Sequence, residues 1–341
     1  MRRARLRHRL RQTGAALLAA MLTVALVAAF AAAALWQQWR AVEIEAAERA
    51  RLQSAWILTG ALDWARLILR EDARSGGADH LAEPWAVPLQ EARLSTFLAA
   101  DRNNTTDNDA DQTFLSGQII DLQSLLNVNN LVESGRISEP GLRSFARLFD
   151  LLGLPQAQLV RMAENLRFAS DISTDNRNAG RAPLIPQRVE QLVWLGVPVQ
   201  TVAALEPYVT LLPARTPVNL NTAGAEVIHA AAGISMADAQ RLVAERDRQH
   251  FRQLADAARL LPNADAAFAD GLVGVASRFF EVRGRLRLGT TVVEQRSVVQ
   301  RDGLAVRTLV REHGVPDPTA LTRAAAPPMT QGRPPTIPRN P

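Results

Sequence analysis

The sequence predicts an α+β fold: a long N-terminal helix packed on an antiparallel sheet, with a large inserted α-helical domain. Three observations predict it. A helical pattern runs without a break from residue 15 to about residue 70. Segments near residues 278–310 alternate as strands. A mostly helical stretch separates these late strands from an early one.

The N-terminus justifies the first element. Six arginines and no acid lie between Arg2 and Arg11, and Gly14 parts them from an uncharged run, Ala15 to Leu35. At ~1.5 Å per residue this run reaches roughly 30 Å, the thickness of a bilayer's hydrocarbon core. The arginines stay cytoplasmic, which places the rest of the chain outside, in a Gram-negative cell the periplasm. Three readings are open. Ala32 and Ala34 could precede the cut of a secretory signal. The run could be a plain uncleaved anchor. Or Gly14 closes a basic leader that prepilin peptidase removes on the cytoplasmic side, so that the apolar helix is retained and begins at Ala15.

The helical pattern continues past the membrane. Trp36 to Leu69 contains no proline and one glycine, Gly60. Trp56, Gly60, Trp64 and Ile68 recur at i+4, which predicts the face that packs on a globular head. Glu43, Glu45, Glu48, Arg49 and Arg51 form a solvated section before it, and Ser75-Gly76-Gly77 ends the helix. A helix half in lipid and half on a head is the plan of a type IV pilin.

The body follows in order. Residues 79–100 read as an irregular loop. Asp107, Asp109 and Asp111 alternate as in a calcium loop, but the glycine and closing glutamate of an EF-hand are missing, so a polar loop is expected. Gln118 to Leu122 reads as an edge strand leading into the turn Asn127-Val128-Asn129-Asn130. Ser138 or Glu139-Pro140 opens a helix with Leu142, Phe145, Leu148 and Phe149 on its face. Gly153 and Pro155 break it, and Leu159 to Phe168 resumes. Val189–Leu195 and Val199–Tyr208 read as short helices.

From Pro217 the pattern sharpens. Asn219 and Asn221 flank a tight turn, and Thr222 can cap the next helix. Ala232-Gly233-Ile234-Ser235 joins that helix to a second one carrying Ala239, Leu242 and Val243, which resembles a helix-hairpin-helix unit. In DNA-binding units the second hairpin glycine offers its N–H to a phosphate. Ser235 stands there, although Arg241 and Arg246 follow. Further on, Arg278–Leu288, Thr291–Val299 and Leu304–Val310 read as strands, with a bulge expected at Gly284 and a turn at residues 287–290. Pro316 to Pro341 holds eight prolines and reads as a disordered tail.

Taken together, RQTG/AALL at the N-terminus, SGQIIDLQSLLNVNNLV at 116–132, LEPYVTLLPARTPVNLNTA at 205–223 and FFEVRGRLRLG at 279–289 resemble the protein K family of type II secretion minor pseudopilins. The resemblance implies a pilin-like head with an inserted α-domain. The implied organisation is a leader at 1–14, a transmembrane helix at 15–36, a pilin-like domain at 37–136 and 271–313, the inserted domain at 137–270 and a tail at 314–341. It implies the minor pseudopilins I and J as partners, with H, the major pseudopilin G, prepilin peptidase and the inner membrane. It also implies cleavage after Gly14, methylation of Ala15 and a place at the pseudopilus tip. Pilins carry glutamate at their fifth mature position, where it pairs with a neighbour's terminal amine; Ala19 stands there, which suits a subunit with nothing above it. Relatives carry a calcium site in the inserted domain. Asp171 and Asp175 are the only carboxylates in the matching stretch, too few for an ion that takes ~6–8 oxygens, so no cofactor is expected.

Composition bounds the alternatives. The chain of 341 residues has no cysteine, which excludes disulfides and thiolate metal sites. Its net charge of +5 rests on the six leader arginines, and residues 15–341 carry −1. A near-neutral body exerts little attraction on a polyanion, which disfavours nucleic acid and leaves membrane-anchored DNA binding as the rival reading. The five histidines, including His80 near Glu83, lie at no metal-ligand spacing, and His80–Glu83 reads as a solvated loop pair. No nucleophile or phosphate-binding motif occurs, so no enzyme is expected.

Overall fold

The computed structural model describes residues 3–98, 113–171, 179–261, 268, 271–289 and 291–314. The polar run Asp101–Asp111, Asp175, Thr290 and the tail from Val315 lie outside the described residues. The chain groups into two units that part between Ile57 and Leu58.

Helix α1 spans Arg3–Ser75. In the first unit every residue from Ala15 to Arg49 is exposed. In the second unit α1 buries Leu58, Leu62, Ala65 and Leu69, an i, i+4, i+7, i+11 stripe. This is not the face expected from the tryptophans: Trp64 is 50% exposed and Trp56 76% exposed. The physical reason is closeness of approach. The stripe meets Phe280, Val282, Val299 and Val306 of the sheet, and leucine and alanine let the backbones come near where indoles would hold them apart. Gly76 and Gly77, both at positive φ, stop the helix.

The sheet contains β1 (Leu89–Arg93), β2 (Thr113–Asp121), β3 (Phe279–Leu288), β4 (Thr291–Asp302) and β5 (Ala305–Gly314). Their order is β1-β2-β3-β4-β5, antiparallel throughout. Two expectations fail here. First, β2 is an interior strand, because β1, in the stretch read as loop, pairs along its outer side. β1 is short, irregularly paired and follows Pro84 and Pro88, so it shows no clean alternation. Second, Gly284 is not a bulge: it pairs in register with Gly117 on one side and Gln295 on the other. The irregularities fall at Leu89/Ala92 and at Val298/Val299. Strand alternation puts Leu115, Gly117 and Ile119 of β2 on the face with Val282 and Gly284 of β3, toward α1.

A turn of helix, α2 (Leu94–Leu98), follows β1. Among the described residues the remaining α-helices lie in the chain between β2 and β3: α3 (Glu139–Leu151), α4 (Gln156–Ala169), α5 (Val199–Leu205), α6 (Ala225–Ala232), α7 (Met236–Arg248) and α8 (Leu254–Ala258). Ser138 precedes α3, and Gly153 and Pro155 separate α3 from α4, as the sequence implies. Phe145, Leu148, Phe149, Leu159, Met162 and Ile228 belong to one buried core. On α3, Gly141 is obligatory: a Cβ there would lie 2.0 Å from the Asn130 carbonyl oxygen.

Candidate functional site

The N-terminal segment is built from residues with no interior to fill. Gly14 and Ala15 lie within α1, and Ala15 and Ala19 are exposed. Among the described residues, one helix, α1, is long and apolar enough to cross a membrane. Just past Leu35 and before the first charge at Arg40, Trp36 and Trp39 stand with ring centroids 5.3 Å apart. Indoles at that depth anchor a helix in the headgroup layer.

The blocks at 116–132 and 205–223 meet through asparagines. Asn127 Nδ2 donates to the Ala214 carbonyl (2.7 Å), and Asn127 Oδ1 accepts from Leu212 N (3.2 Å). Asn129 Nδ2 donates to the Leu212 carbonyl (2.6 Å). Asn130 exchanges two bonds with the Thr216 backbone, at 2.8 and 3.1 Å. An amide side chain presents both a donor and an acceptor, so it can stand in for a missing strand partner. That is why the turn at 127–130 is asparagine-rich: it stitches residues 209–216 into the helical block.

The second part of that block, Asn219 to Thr222, joins the helical block to the sheet. Asp121, at the end of β2, is buried. Its Oδ2 accepts from Ser277 Oγ (2.6 Å), Thr222 Oγ1 (2.6 Å) and Asn219 Nδ2 (3.1 Å), and its Oδ1 from Gln123 N (2.8 Å). Burial raises the Asp121 carboxyl from 3.8 to about 6, against the hydrogen bonds from Ser277, Thr222 and Gln123 that lower it. Thr222 therefore does not cap α6, whose N-cap is Gly224. Its hydroxyl serves the buried carboxylate instead.

Arg301 of β4 completes the junction. It pairs with Asp72 at 2.5 Å, with Asp79, and donates to the Ser277 carbonyl at 2.8 Å. Burial raises the carboxyls of Asp72 and Asp79, and Arg301 opposes it. Asp72, Asp79 and Glu83 place one carboxylate oxygen each within 4.8 Å of one another. The cation such a set requires is already supplied by the Arg301 guanidinium. Glu83 accepts from His80 N and from Trp85 Nε1, at 2.9 and 2.7 Å, so the His80–Glu83 pair is a largely buried turn, not the solvated loop expected. His80 stacks on His250, which follows α7, at 3.7 Å between centroids with 11° between planes.

The α6–α7 hairpin has its own chemistry. Gly233 ends α6 at φ +68°, and a Cβ there would lie 2.6 Å from the Arg147 guanidinium. Ser235 Oγ accepts from Asp238 N at 3.1 Å, so serine caps α7. Arg246 is buried and donates from one Nη1 to the Leu220 and Ala223 carbonyls. Arg241 donates to the Leu260 carbonyl and pairs with Asp238. Both arginines thus bind carbonyls of their own helical block. Asp171 is exposed, beside a stretch outside the described residues.

Sequence reasoning missed Asp72, Asp79, Asp121, Ser277 and Arg301 as a set. The available signal was a polar residue at the end of each apolar run, Asp121 after Ile119-Ile120 and Arg301 after Val298-Val299, but the side chains they meet lie 98 to 156 positions from Asp121 and 222 and 229 positions from Arg301. Of the quoted blocks, those at 116–132 and 205–223 turn out to be joints between elements, while 279–289 is strand β3 itself.

Comparisons with known proteins agree with this architecture. Two family models described as type II secretion system (T2SS), protein K match residues 124–214 and 218–276. A type II secretion system protein K from Pseudomonas aeruginosa is 26% identical over 327 residues, covering 89% of this chain and 93% of that protein. One from Klebsiella pneumoniae is 27% identical, covering 89% and 97%. Among solved structures, a chain of the GspK-GspI-GspJ complex from enterotoxigenic Escherichia coli matches with TM-score 0.61 at 18% identity, covering 79% of this chain and 99% of that one. That likeness carries the fold: a long N-terminal helix, an antiparallel sheet and a helical domain. Over these residues and in its fold, the chain is similar to the type II secretion system protein K family.

Proposed function

We propose that this chain caps or starts the periplasmic pseudopilus and supports export of folded proteins, and that it acts through surfaces and catalyses no reaction. Prepilin peptidase cuts after Gly14, the amine of Ala15 is methylated, and residues 15–36 stay in the inner membrane with the head in the periplasm. Its partners are the minor pseudopilins I and J, the combination named for the E. coli complex, and then H and the major pseudopilin G. The observation that carries the reading is the uncharged helix from Ala15 to Leu35, exposed along its length and preceded by an arginine-rich leader. A disposable signal needs no such length, and a filament subunit does. Ala19 leaves no buried carboxylate without an amine, which suits the terminal position.

The test is co-purification of the full chain in detergent with its own I and J proteins, beside complementation of a deletion strain. A stable three-protein complex and restored secretion are expected. A chain that stays alone and still restores secretion contradicts the reading. The rival, DNA binding through the α6–α7 hairpin, has less support because Arg241 and Arg246 are engaged with backbone carbonyls. A salt-dependent gel shift lost in Arg241→Ala/Arg246→Ala would favour it.

A further inference from the structure

The face of the sheet turned away from α1 carries a chain of charges. Strand alternation puts Glu281 and Arg283 of β3, Arg296 of β4 and Glu312 of β5 there. Arg283 and Arg296 pair directly across the strands, a position in which like charges repel. Glu281 holds both: its Oε1 accepts from Arg283 Nε, and its Oε2 from Arg296 Nε at 2.6 Å. Arg296 Nη1 also reaches Glu312 Oε2 at 3.4 Å, and Arg188 of the helical block pairs with Glu312 Oε1 at 2.8 Å. The sequence Arg188–Glu312–Arg296–Glu281–Arg283 thus alternates in sign across three strands, ~10 Å wide.

The two signs lie at different depths. The side chains of Glu312 and Glu281 are 24% and 3% exposed, those of Arg296, Arg283 and Arg188 41%, 44% and 54%. Stability alone does not call for this. Glu281 pairs across the strands with Val298, which packs against buried Phe279, so an apolar side chain at 281 has neighbours to meet. Replacing a buried ion pair by apolar side chains is often neutral or stabilising. One arginine, moreover, suffices to neutralise one carboxylate. What the arrangement achieves is to pin two guanidinium groups side by side through Nε. Arg283 thereby keeps Nη1 and Nη2, the fork that takes a carboxylate bidentately.

We infer that this face docks an acidic segment of a partner protein, with a partner carboxylate held in the Arg283 fork. Charge complementarity names the occupant. The outward layer is cationic, and three arginines over two sunken glutamates leave +1, which suits a carboxylate or two. Glu312 stands between Arg188 and Arg296 and repels a continuous run of phosphates, and the near-neutral body adds no long-range field for one. The inference rests on the assembly reading above and places one contact of that assembly on this chain.

The chain has no lysine, which permits a direct test in the full chain in detergent with the I and J proteins. Arg283→Lys supplies its one side-chain amine, which a carbodiimide joins to a carboxylate in contact with it. A cross-link from position 283 to an aspartate or glutamate of I or J is expected by mass spectrometry, and none from Arg248→Lys, exposed on α7. Arg283→Gln is expected to weaken binding about tenfold at low salt, and less as salt rises. The thermal midpoint of the free chain should stay unchanged, since Arg296 still holds Glu281. Wild-type affinity in Arg283→Gln, or no cross-link from position 283 within the complex, overturns the contact and leaves the assembly reading standing. Absence of binding by the wild-type chain overturns the assembly reading, and the contact with it. Equal cross-linking from both positions, or a midpoint that falls in step with affinity, overturns the inference. So does dihexanoyl phosphatidylglycerol that binds the wild-type chain and not Arg283→Gln while I and J bind both, since the occupant is then a lipid headgroup.

Discussion

Asn219 Nδ2 lies 3.1 Å from Asp121 Oδ2, in the buried junction where the helical block meets the end of β2. The same amide also reaches Ser277 Oγ at 2.9 Å and the Asp79 carbonyl at 3.1 Å. One side chain thus ties together residues separated by 58 to 140 positions. Asn219→Ala removes this donor from all three acceptors, of which Asp121 Oδ2 keeps Ser277 Oγ and Thr222 Oγ1. A destabilisation of about 2–4 kcal/mol is expected in urea unfolding, against less than about 0.5 kcal/mol for exposed Gln200→Ala. Equal midpoints for the two would show that the junction holds nothing.

The junction also sets a pH dependence. Asp121 titrates at about 6 in the fold and near 3.8 ordinarily, so the folded state holds its proton more tightly than the unfolded chain. The stability this contributes is fully present below 3.8 and is lost as pH rises through about 6. The span corresponds to on the order of 3 kcal/mol. Asp121→Asn is expected to flatten this part of the stability–pH curve in urea titrations between pH 4 and 7. A curve unchanged from wild type would place the titration elsewhere.

The stacked imidazoles work in the opposite sense. Burial lowers the pKa of His80, with Asp72 and Asp79 opposing it; burial, then His80 and Arg252, lower that of His250, with Glu83 opposing. A base depressed in the fold contributes stability that is present above its ordinary 6.5 and lost as pH falls through the lower folded value. His80→Phe/His250→Phe preserves a ring stack without charge. It is expected to abolish the acid-side loss in thermal melts taken from pH 7.5 to 5. Melts that fall as steeply as those of the wild type would contradict this assignment.

Arg246 is a structural cation. Arg246→Ala uncovers the carbonyls of Leu220 and Ala223, and a loss of about 1–3 kcal/mol is expected. Arg248→Ala, whose side chain is largely exposed, should cost little. Similar midpoints for the two variants would return Arg246 to the list of surface charges available to a polyanion.

How far the sequence reaches depends on the range of the interaction. Local signals read correctly: Ser75-Gly76-Gly77 stops α1, Gly153 and Pro155 divide α3 from α4, and the late strands alternate visibly. The choice of helix face read wrongly. Trp56, Gly60 and Trp64 share an apolar stripe, but periodicity marks every apolar stripe and says nothing of which one the sheet accepts. Leu58, Leu62, Ala65 and Leu69 win because they allow closer approach. The junction was out of reach for another reason. Asp79, Asp121, Asn219, Ser277 and Arg301 carry no common spacing, and burial turns them from surface residues into a joint. Asn219 and Thr222 were visible as turn residues, yet their task is to satisfy a carboxylate about a hundred positions earlier.

The claim on which the proposed function rests is that the apolar helix survives maturation and begins at residue 15. Mass spectrometry of the N-terminal peptide of the chain purified from membranes tests it most directly. The expected species starts at Ala15, lacks residues 1–14 and carries one added methyl on its amine. A chain starting near residue 35, or one retaining the leader through Gly14, would contradict it.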